Sequence, residues 1–346
     1  ASTKIWEVTQ PENPVEMVNN FQNGVASFTQ RADTLREFFA VNKLGYETPS
    51  LVEVLNIDYP SLLNTPAADY IIITASNYLK AADSLAKFHA VNNGLATFVT
   101  TTARVFNEFS GGQPSPIGIR NYVKYIYDKA KKNNTITPKY LLLLGIGNFD
   151  YKKIDNQIQV PSYESVSSNS VLSSYTTDDF FAILKDGEDI NSPQGIQSLA
   201  LSVGRLPVKN AVDAEAVVKK LKQYQSQKNI GAWRNQITWI ADDGDYNLHL
   251  QHAEEISTGL KLNQPKWNQK KIYLDLFPAI NSSAGNTYPL ANNMIKQMVN
   301  NGTLILNYTG HGNYTRLAEE AVITQNEILQ WDNVGKLPLM ITASCD

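Results

Sequence analysis

The chain has 346 residues, 42% of them apolar and 18% charged, enough to build a sizeable core and to exclude an intrinsically disordered polypeptide. Its 30 basic and 33 acidic residues give a formal charge of -3, the wrong balance for a general nucleic-acid binder. A single cysteine, Cys345, excludes an internal disulfide and a multi-cysteine zinc site, and no apolar run reaches the roughly 18 residues of a membrane-spanning helix. At roughly 150 residues per domain the length predicts two domains, or three small ones.

The first 66 residues read as a small β-rich module. Ile5-Trp6-Glu7-Val8-Thr9 and Val25-Ala26-Ser27-Phe28-Thr29 alternate in hydropathy around a Gln10–Pro14 turn, and Tyr46–Pro66, with its prolines, reads as a connector. From residue 67 strands alternate with helices. Asp69–Thr74 is an expected buried strand, and Ala82, Leu85, Ala86 and His89 recur at helical spacing before Asn93-Gly94. Leu95–Thr100 is the next expected strand. Ile119, Tyr122, Val123 and Ile126 form a helical stripe, and Tyr140–Leu144 is a fully apolar strand. Phe180–Leu184 and Leu199–Gly204 read as strands in a loop-rich region, and Asn210 caps a helix carrying Ala214, Val217, Val218, Leu221 and Tyr224.

After a joint near Gly231 the alternation resumes. Gln236–Ala241 is a strand, 247–260 a helix, Lys271–Leu274 a strand, Leu290–Val299 a helical stripe, Thr303–Tyr308 a strand, Gln325–Trp331 a short helix and Leu337–Ala343 a last strand. This pattern predicts an α/β fold, a mostly parallel open sheet with helices on both faces. Two subdomains, 67–230 and 231–346, follow the module of residues 1–66.

In such sheets the functional groups lie just beyond the carboxyl ends of the strands. Two strand ends stand out: Thr309-Gly310-His311-Gly312 after one, and Ser344-Cys345-Asp346 after the next. Neighbouring parallel strands lie about 4.8 Å apart, so an imidazole and a thiol at these ends are within reach of each other. A thiol attacks a carbonyl carbon as thiolate, which a nearby imidazole favours, and the imidazole can then protonate the leaving group. Gly310 and Gly312 allow close approach of a substrate to the backbone. The bland alternative is a structural cysteine beside a loop histidine.

Other signals are weaker. Asp242, Asp243 and Asp245 follow a strand and form a candidate calcium site, against a solvated acidic turn as the alternative. His249 and His252 lack the i,i+4 spacing of a helical zinc motif. Gly145-Ile146-Gly147 lacks the third glycine of a dinucleotide loop, because Asp150 occupies its place, and reads as a tight turn. Asp178-Asp179 precede an expected strand and are candidates for a pocket wall, with an ordinary turn as the alternative.

At Leu304–Gly312 and Thr342–Cys345 the sequence resembles the catalytic region of the gingipain family of cysteine peptidases, which share a caspase-like α/β fold with histidine before cysteine. The resemblance is closest to the PorU-type sortases of the type IX secretion system, through Tyr70–Ser76, Asn107–Gly112, Pro138–Gly145, Ser174–Leu184, Val203–Val208, Trp233–Asp243 and Leu337–Cys345. It implies His311 as general acid/base and Cys345 as nucleophile, with the amides of Gly312 and Cys345 as oxyanion hole. It also implies Asp178 as a specificity-pocket residue and a third carboxylate orienting the histidine, for which Glu164 is the candidate.

The family implies further that no cofactor is required. Its substrates are cargo proteins bearing a C-terminal secretion domain, its partners outer-membrane subunits of the secretion system, its acceptor a lipopolysaccharide amine, and its place the outer-membrane surface. The competing function class is a non-enzymatic scaffold or binding module with a degenerate site. Because the family continues past its cysteine, we expect a chain ending at Asp346 to be a fragment and inactive as it stands.

Overall fold

The computed structural model of the protein describes residues 3–42, 45–48, 60–147, 160–167, 169–170, 173–192, 198–283 and 285–344. These residues fall into two compact units, Ala1–Tyr59 and Pro60–Asp346.

The first unit is all β. Strands β1 (Lys4–Glu7), β2 (Val15–Glu16), β3 (Asn20–Gln22), β4 (Val25–Ser27) and β5 (Phe38–Val41) form an antiparallel three-stranded sheet in the order β2-β1-β5 and a β3–β4 hairpin. Little apolar surface is buried here, and Ile5 is its one buried core residue among those described. Side-chain pairing supplements the core: the Arg36 guanidinium spans Glu7 and Asp33, at 3.0 Å from each. Most of the expected connector, residues 49–59, lies outside the described residues.

The second unit opens on a short turn, Leu62–Asn64, whose Ser61 hydroxyl and Leu62 amide both donate to the Glu108 carboxylate. Strands β6 (Tyr70–Thr74), β7 (Thr97–Thr101), β8 (Tyr140–Leu144) and β11 (Ser202–Leu206) then make a sheet in the order β11-β8-β6-β7, every pair parallel. A two-stranded antiparallel ribbon, β9 (Tyr163–Glu164) with β10 (Thr176–Thr177), lies in the loop region before β11. Helices α1 (Leu79–Asn93) and α4 (Ala211–Tyr224) cover one face of the sheet, with Ile72, Leu85, Leu144 and Val218 in a common core. Helices α2 (Thr102–Phe109) and α3 (Pro116–Lys132) cover the other, where Ile71, Ile73, Val105, Ile119 and Leu143 pack. Strands covered on both faces read as continuous apolar runs, as Ile71-Ile72-Ile73 and Leu141–Leu144 do.

The second sheet repeats this plan. Strands β12 (Gln236–Ala241), β13 (Asn268–Tyr273), β16 (Ile305–Thr309) and β19 (Leu339–Ala343) run in the order β13-β12-β16-β19, again all parallel. Helix α5 (Leu248–Asn263) packs on one face against Trp239 and Tyr273, and α6 (Pro289–Asn301) on the other against Ile272 and Leu306. The hairpin β14 (Ile280–Ser282) with β15 (Gly285–Thr287), the ribbon β17 (Arg316–Leu317) with β18 (Ile323–Thr324), and a one-turn helix α7 (Gln325–Ile328) complete the unit. Thr324 and Glu327 close a capping box on α7. The expected fold class, parallel sheet with helices on both faces, is what the chain adopts.

One expectation is corrected, and one helix lies outside the expected elements. Phe180–Leu184 is not a strand; Asp179–Ala182 is a short 3-10 turn. Its apolar residues are buried against α3, and the carbonyls of Ile183 and Leu184 accept from Arg120 Nε and Lys124 Nζ, both at 2.8 Å, in place of a ladder. Helix α2 directly follows β7 where no helix is legible in the apolar spacing, and it starts on the Thr101 hydroxyl, which accepts from the Arg104 amide.

Arg205 on β11 ties the loops of the first sheet together. Its Nε and Nη2 grip both oxygens of Asp178, at 2.8 and 2.7 Å, and its Nη1 donates to the carbonyls of Gly145 and Val160. Removing the guanidinium strands a largely buried carboxylate and two carbonyls. Arg205→Ala is therefore expected to lower stability by roughly 2–4 kcal/mol in urea unfolding, and a loss within about 0.5 kcal/mol would show the fork to be energetically idle.

Candidate functional site

The second sheet builds the site at the carboxyl ends of β12, β16 and β19. The parallel register pairs Ala241 of β12 with Thr309 of β16, and Thr309 with Ala343 of β19. Backbone bonds continue for one residue past the sheet: the Asp242 amide donates to the Thr309 carbonyl at 3.0 Å, and the Gly310 amide to the Ala343 carbonyl at 3.1 Å. Three chain segments, Asp242–Asp245, Gly310–Gly312 and Ser344, are thereby held side by side.

The turn after β16 needs Gly310 and is tight at Gly312. A Cβ on Gly310 would lie 2.2 Å from the Asp242 Cβ, and one on Gly312 would lie 3.1 Å from the Ser344 hydroxyl and 3.0 Å from Leu317. Asp242, almost wholly buried, fixes the turn: its Oδ2 accepts from the His311 amide at 2.9 Å and its Oδ1 from the Asp243 amide at 3.1 Å. The Tyr308 hydroxyl, also buried, donates to the His311 carbonyl. Burial raises the Asp242 carboxyl above its ordinary range, with the neighbouring Asp243 charge acting in the same direction. Burial likewise raises the Tyr308 phenol, and the adjacent Asp242 adds to the effect.

The His311 side chain is half exposed, and its Nε2 lies 2.9 Å from Asp245 Oδ2. Asp245 comes from the loop between β12 and α5, where Asp245, Tyr246 and Asn247 all adopt positive φ (43°, 55° and 66°). Left-handed backbone at a bulky residue such as tyrosine costs of order 1–2 kcal/mol and turns the Asp245 side chain back over the strand ends. His249, in the first turn of α5, approaches the same carboxylate oxygen at 3.3 Å and packs edge-on against the His311 ring, with centroids 4.9 Å apart.

The residues expected from sequence are thus distributed as follows. His311, Gly310 and Gly312 stand at the strand ends beside Ser344, and Cys345 lies outside the described residues. Asp242, Asp243 and Asp245 do not form one cluster. Asp242 and Asp243 gather with Glu320, whereas Asp245 joins His249 and His311. Asp178 belongs to the first sheet, where Arg205 occupies both of its oxygens. Glu164 sits on β9, paired with Thr176, and the carboxylate in contact with His311 is that of Asp245. Asp245 and His249 were visible as separate signals, an acidic turn and an odd histidine pair, but nothing in their spacing joined them to a histidine more than sixty residues later. No helix among the described residues is long and apolar enough to cross a membrane.

Three comparisons bear on this arrangement. The model of peptidase family C25 matches residues 64–346. The crystal structure of dimeric latent PorU from Porphyromonas gingivalis is similar over 67% of this chain and 23% of its own, at 26% identity and a TM-score of 0.54. The crystal structure of the Arg-specific cysteine proteinase gingipain R is similar over 83% of this chain and 56% of its own, at 17% identity and a TM-score of 0.58. The complex of the pro- and mature domains of Porphyromonas gingivalis RgpB gives 80%, 55%, 18% and 0.58 for the same measures. The chain thus spans under a quarter of the PorU chain it matches and little over half of the gingipain chains. No curated protein sequence matches it.

The raised Asp242 carboxyl has a consequence for stability. A carboxyl whose folded pKa exceeds its unfolded one adds stability below the ordinary carboxyl range, and this is lost as pH rises through the raised value. Asp242→Asn removes the buried charge, while its mismatch with the Asp243 amide is a pH-independent penalty. The melting temperature of the variant relative to the parent is expected to rise from pH 3.5 to pH 7.5, and a difference that stays constant with pH would refute the assignment.

Proposed function

Because the chain belongs to peptidase family C25, we propose that it carries the catalytic half-site of a cysteine peptidase in which Cys345 is the nucleophile and His311 its acid/base partner. One observation carries this reading: the β16–β19 register sets Gly310-His311-Gly312 against Ala343-Ser344, the residues that run directly into Cys345. The thiol gives its proton to the imidazole and the thiolate attacks a peptide carbonyl carbon. The oxyanion is held by the amides of Gly312 and Cys345, and the imidazolium protonates the departing amine. A thioester remains, and water or an amine resolves it.

In this reading Asp245 takes the orienting role for which Glu164 was the sequence candidate. With Nε2–H of His311 donating to Asp245, Nδ1 is the nitrogen that serves the thiol, and the carboxylate stabilises the imidazolium. Asp178, held by Arg205, shapes the loop that carries it and reaches a substrate pocket only by giving up that pairing.

The similarity to PorU supports the sortase branch of the family as the finer reading. The substrate is then a secreted cargo protein whose C-terminal secretion domain is released, and a lipopolysaccharide amine is the acceptor that competes with water for the thioester. Partner subunits of the secretion system at the outer-membrane surface complete this proposal.

Thiol reactivity tests the catalytic pair. In the protein, Cys345 is expected to react with iodoacetamide at neutral pH at least about tenfold faster than a free model thiol, as a lowered thiol pKa requires. His311→Ala should abolish the advantage and Asp245→Asn should reduce it. Equal rates in parent and His311→Ala would overturn the pairing and leave the non-enzymatic scaffold reading standing.

A further inference from the structure

We propose that Asp245, His249 and His311 form a site for a zinc-class divalent cation, through which such an ion reversibly silences the peptidase centre. The three ligand atoms lie within 4.8 Å of one another. Tetrahedral zinc with bonds of about 2.0–2.1 Å holds its ligand atoms about 3.3 Å apart. The separations here, 2.9 Å from His311 Nε2 and 3.3 Å from His249 Nε2 to one oxygen of Asp245, need only small side-chain movements to admit the ion.

His249 supplies the second observation. Its side chain is largely buried, yet Nε2 meets no hydrogen-bonding partner in good geometry among the described residues. A buried imidazole nitrogen aimed at a carboxylate and a second imidazole, without a bond of its own, is a ligand position rather than a structural contact. The two rings stand nearly perpendicular, 86° apart, so that both nitrogens converge on the space beside Asp245 instead of stacking across it.

Two imidazoles and one carboxylate suit zinc, copper or nickel and do not suit calcium or magnesium, which take oxygen ligands in larger number. The fourth position faces solvent, because His311 and Asp245 are each about half exposed, at 50% and 49%. On binding, a metal–nitrogen bond forms at His311 Nε2; the proton there leaves to solvent as Nδ1 takes one up, so the ring stays neutral and is protonated at Nδ1 alone. Asp245 exchanges its hydrogen bond to His311 for the metal. The histidine thereby loses both its orienting carboxylate and its capacity to become an imidazolium.

The binding claim stands on these three residues alone, whereas the silencing claim rests on the peptidase reading, and the experiment separates them. Zinc is titrated by calorimetry into the Cys345→Ala protein, which has no thiol to compete. One-to-one binding is expected, weakened more than tenfold by His249→Ala and by Asp245→Asn, with no heat from calcium. Cobalt(II) added to the same protein should give the intense visible bands of a tetrahedral N/O site. His249→Gln, checked by its melting curve, guards against a variant that fails to fold. Equal affinity in the parent and the ligand variants, or a cobalt spectrum like that of the aqueous ion, would overturn the site. In the cysteine-containing protein, zinc should suppress iodoacetamide labelling of Cys345, and His249→Ala should remove most of that suppression. Binding without suppression would overturn the silencing claim and leave the site.

Discussion

The parallel pairing of β12, β16 and β19 is the constraint on which the rest of the site depends. A parallel ladder advances in step, so residues that leave adjacent strands at matched positions emerge side by side. Here the ladder runs one bond further on each side of β16, from the Asp242 amide to Thr309 and from the Gly310 amide to Ala343. Side chains separated by tens of residues are thus placed by backbone geometry, and loops have only to avoid filling the space. The covering helices serve the same end. By burying both faces through Trp239, Tyr273, Ile272 and Leu306, they fix the sheet against slippage that would exchange the two faces.

A buried carboxylate at the centre of this edge is expensive, and Asp242 shows why it is kept. Its two oxygens satisfy the amides of His311 and Asp243, backbone donors that the turn would otherwise leave orphaned. A neutral apolar residue there would free the carboxylate's desolvation energy but leave two amides unpaired and Gly310–Gly312 without an anchor. The Tyr308 hydroxyl on the carbonyl of the same histidine completes a backbone clamp, so the position of His311 is set through its main chain while its ring stays half exposed. Main-chain fixation with a solvated ring leaves the imidazole nitrogens accessible to protons.

Much of this was legible in the sequence. The apolar runs Ile71–Ile73 and Leu141–Leu144, the helical stripes after them, and the strand–Gly-His-Gly pattern identify a doubly covered parallel sheet and the strand end that carries the candidate site. Local chemistry with a fixed offset reads well; Asn210 caps its helix by accepting from the Asp213 amide. What failed to read was set by tertiary contacts. Phe180–Leu184 has a strand's composition, but Arg120 and Lys124 on α3 take its carbonyls. Asp242 and Asp245 stand three apart in one acidic turn and so read as one cluster. The left-handed backbone at Asp245–Asn247 splits them, sending one carboxylate under the histidine's backbone and the other to its ring. Gly244, Asp245 and Asn247 are residue types that tolerate the left-handed conformation, but an exposed tyrosine in their midst argues against a run of it.

That split also explains how one short loop supports two chemistries. Asp242 acts on the main chain of His311 and is buried, whereas Asp245 acts on its ring in solvent, where it is free to exchange partners. An exposed carboxylate–imidazole contact is worth little on its own, so neither a proton nor a cation faces a large barrier to displacing it. His249 shifts the balance between them. A lone histidine on Asp245 would leave an ordinary acid/base pair, but a second imidazole on the same oxygen, largely buried and without a bond of its own, adds a ligand that only a cation can use fully. The left-handed turn leads directly into α5, so the loop that sets the Asp245 carboxylate on the His311 ring also brings the His249 nitrogen to the same oxygen.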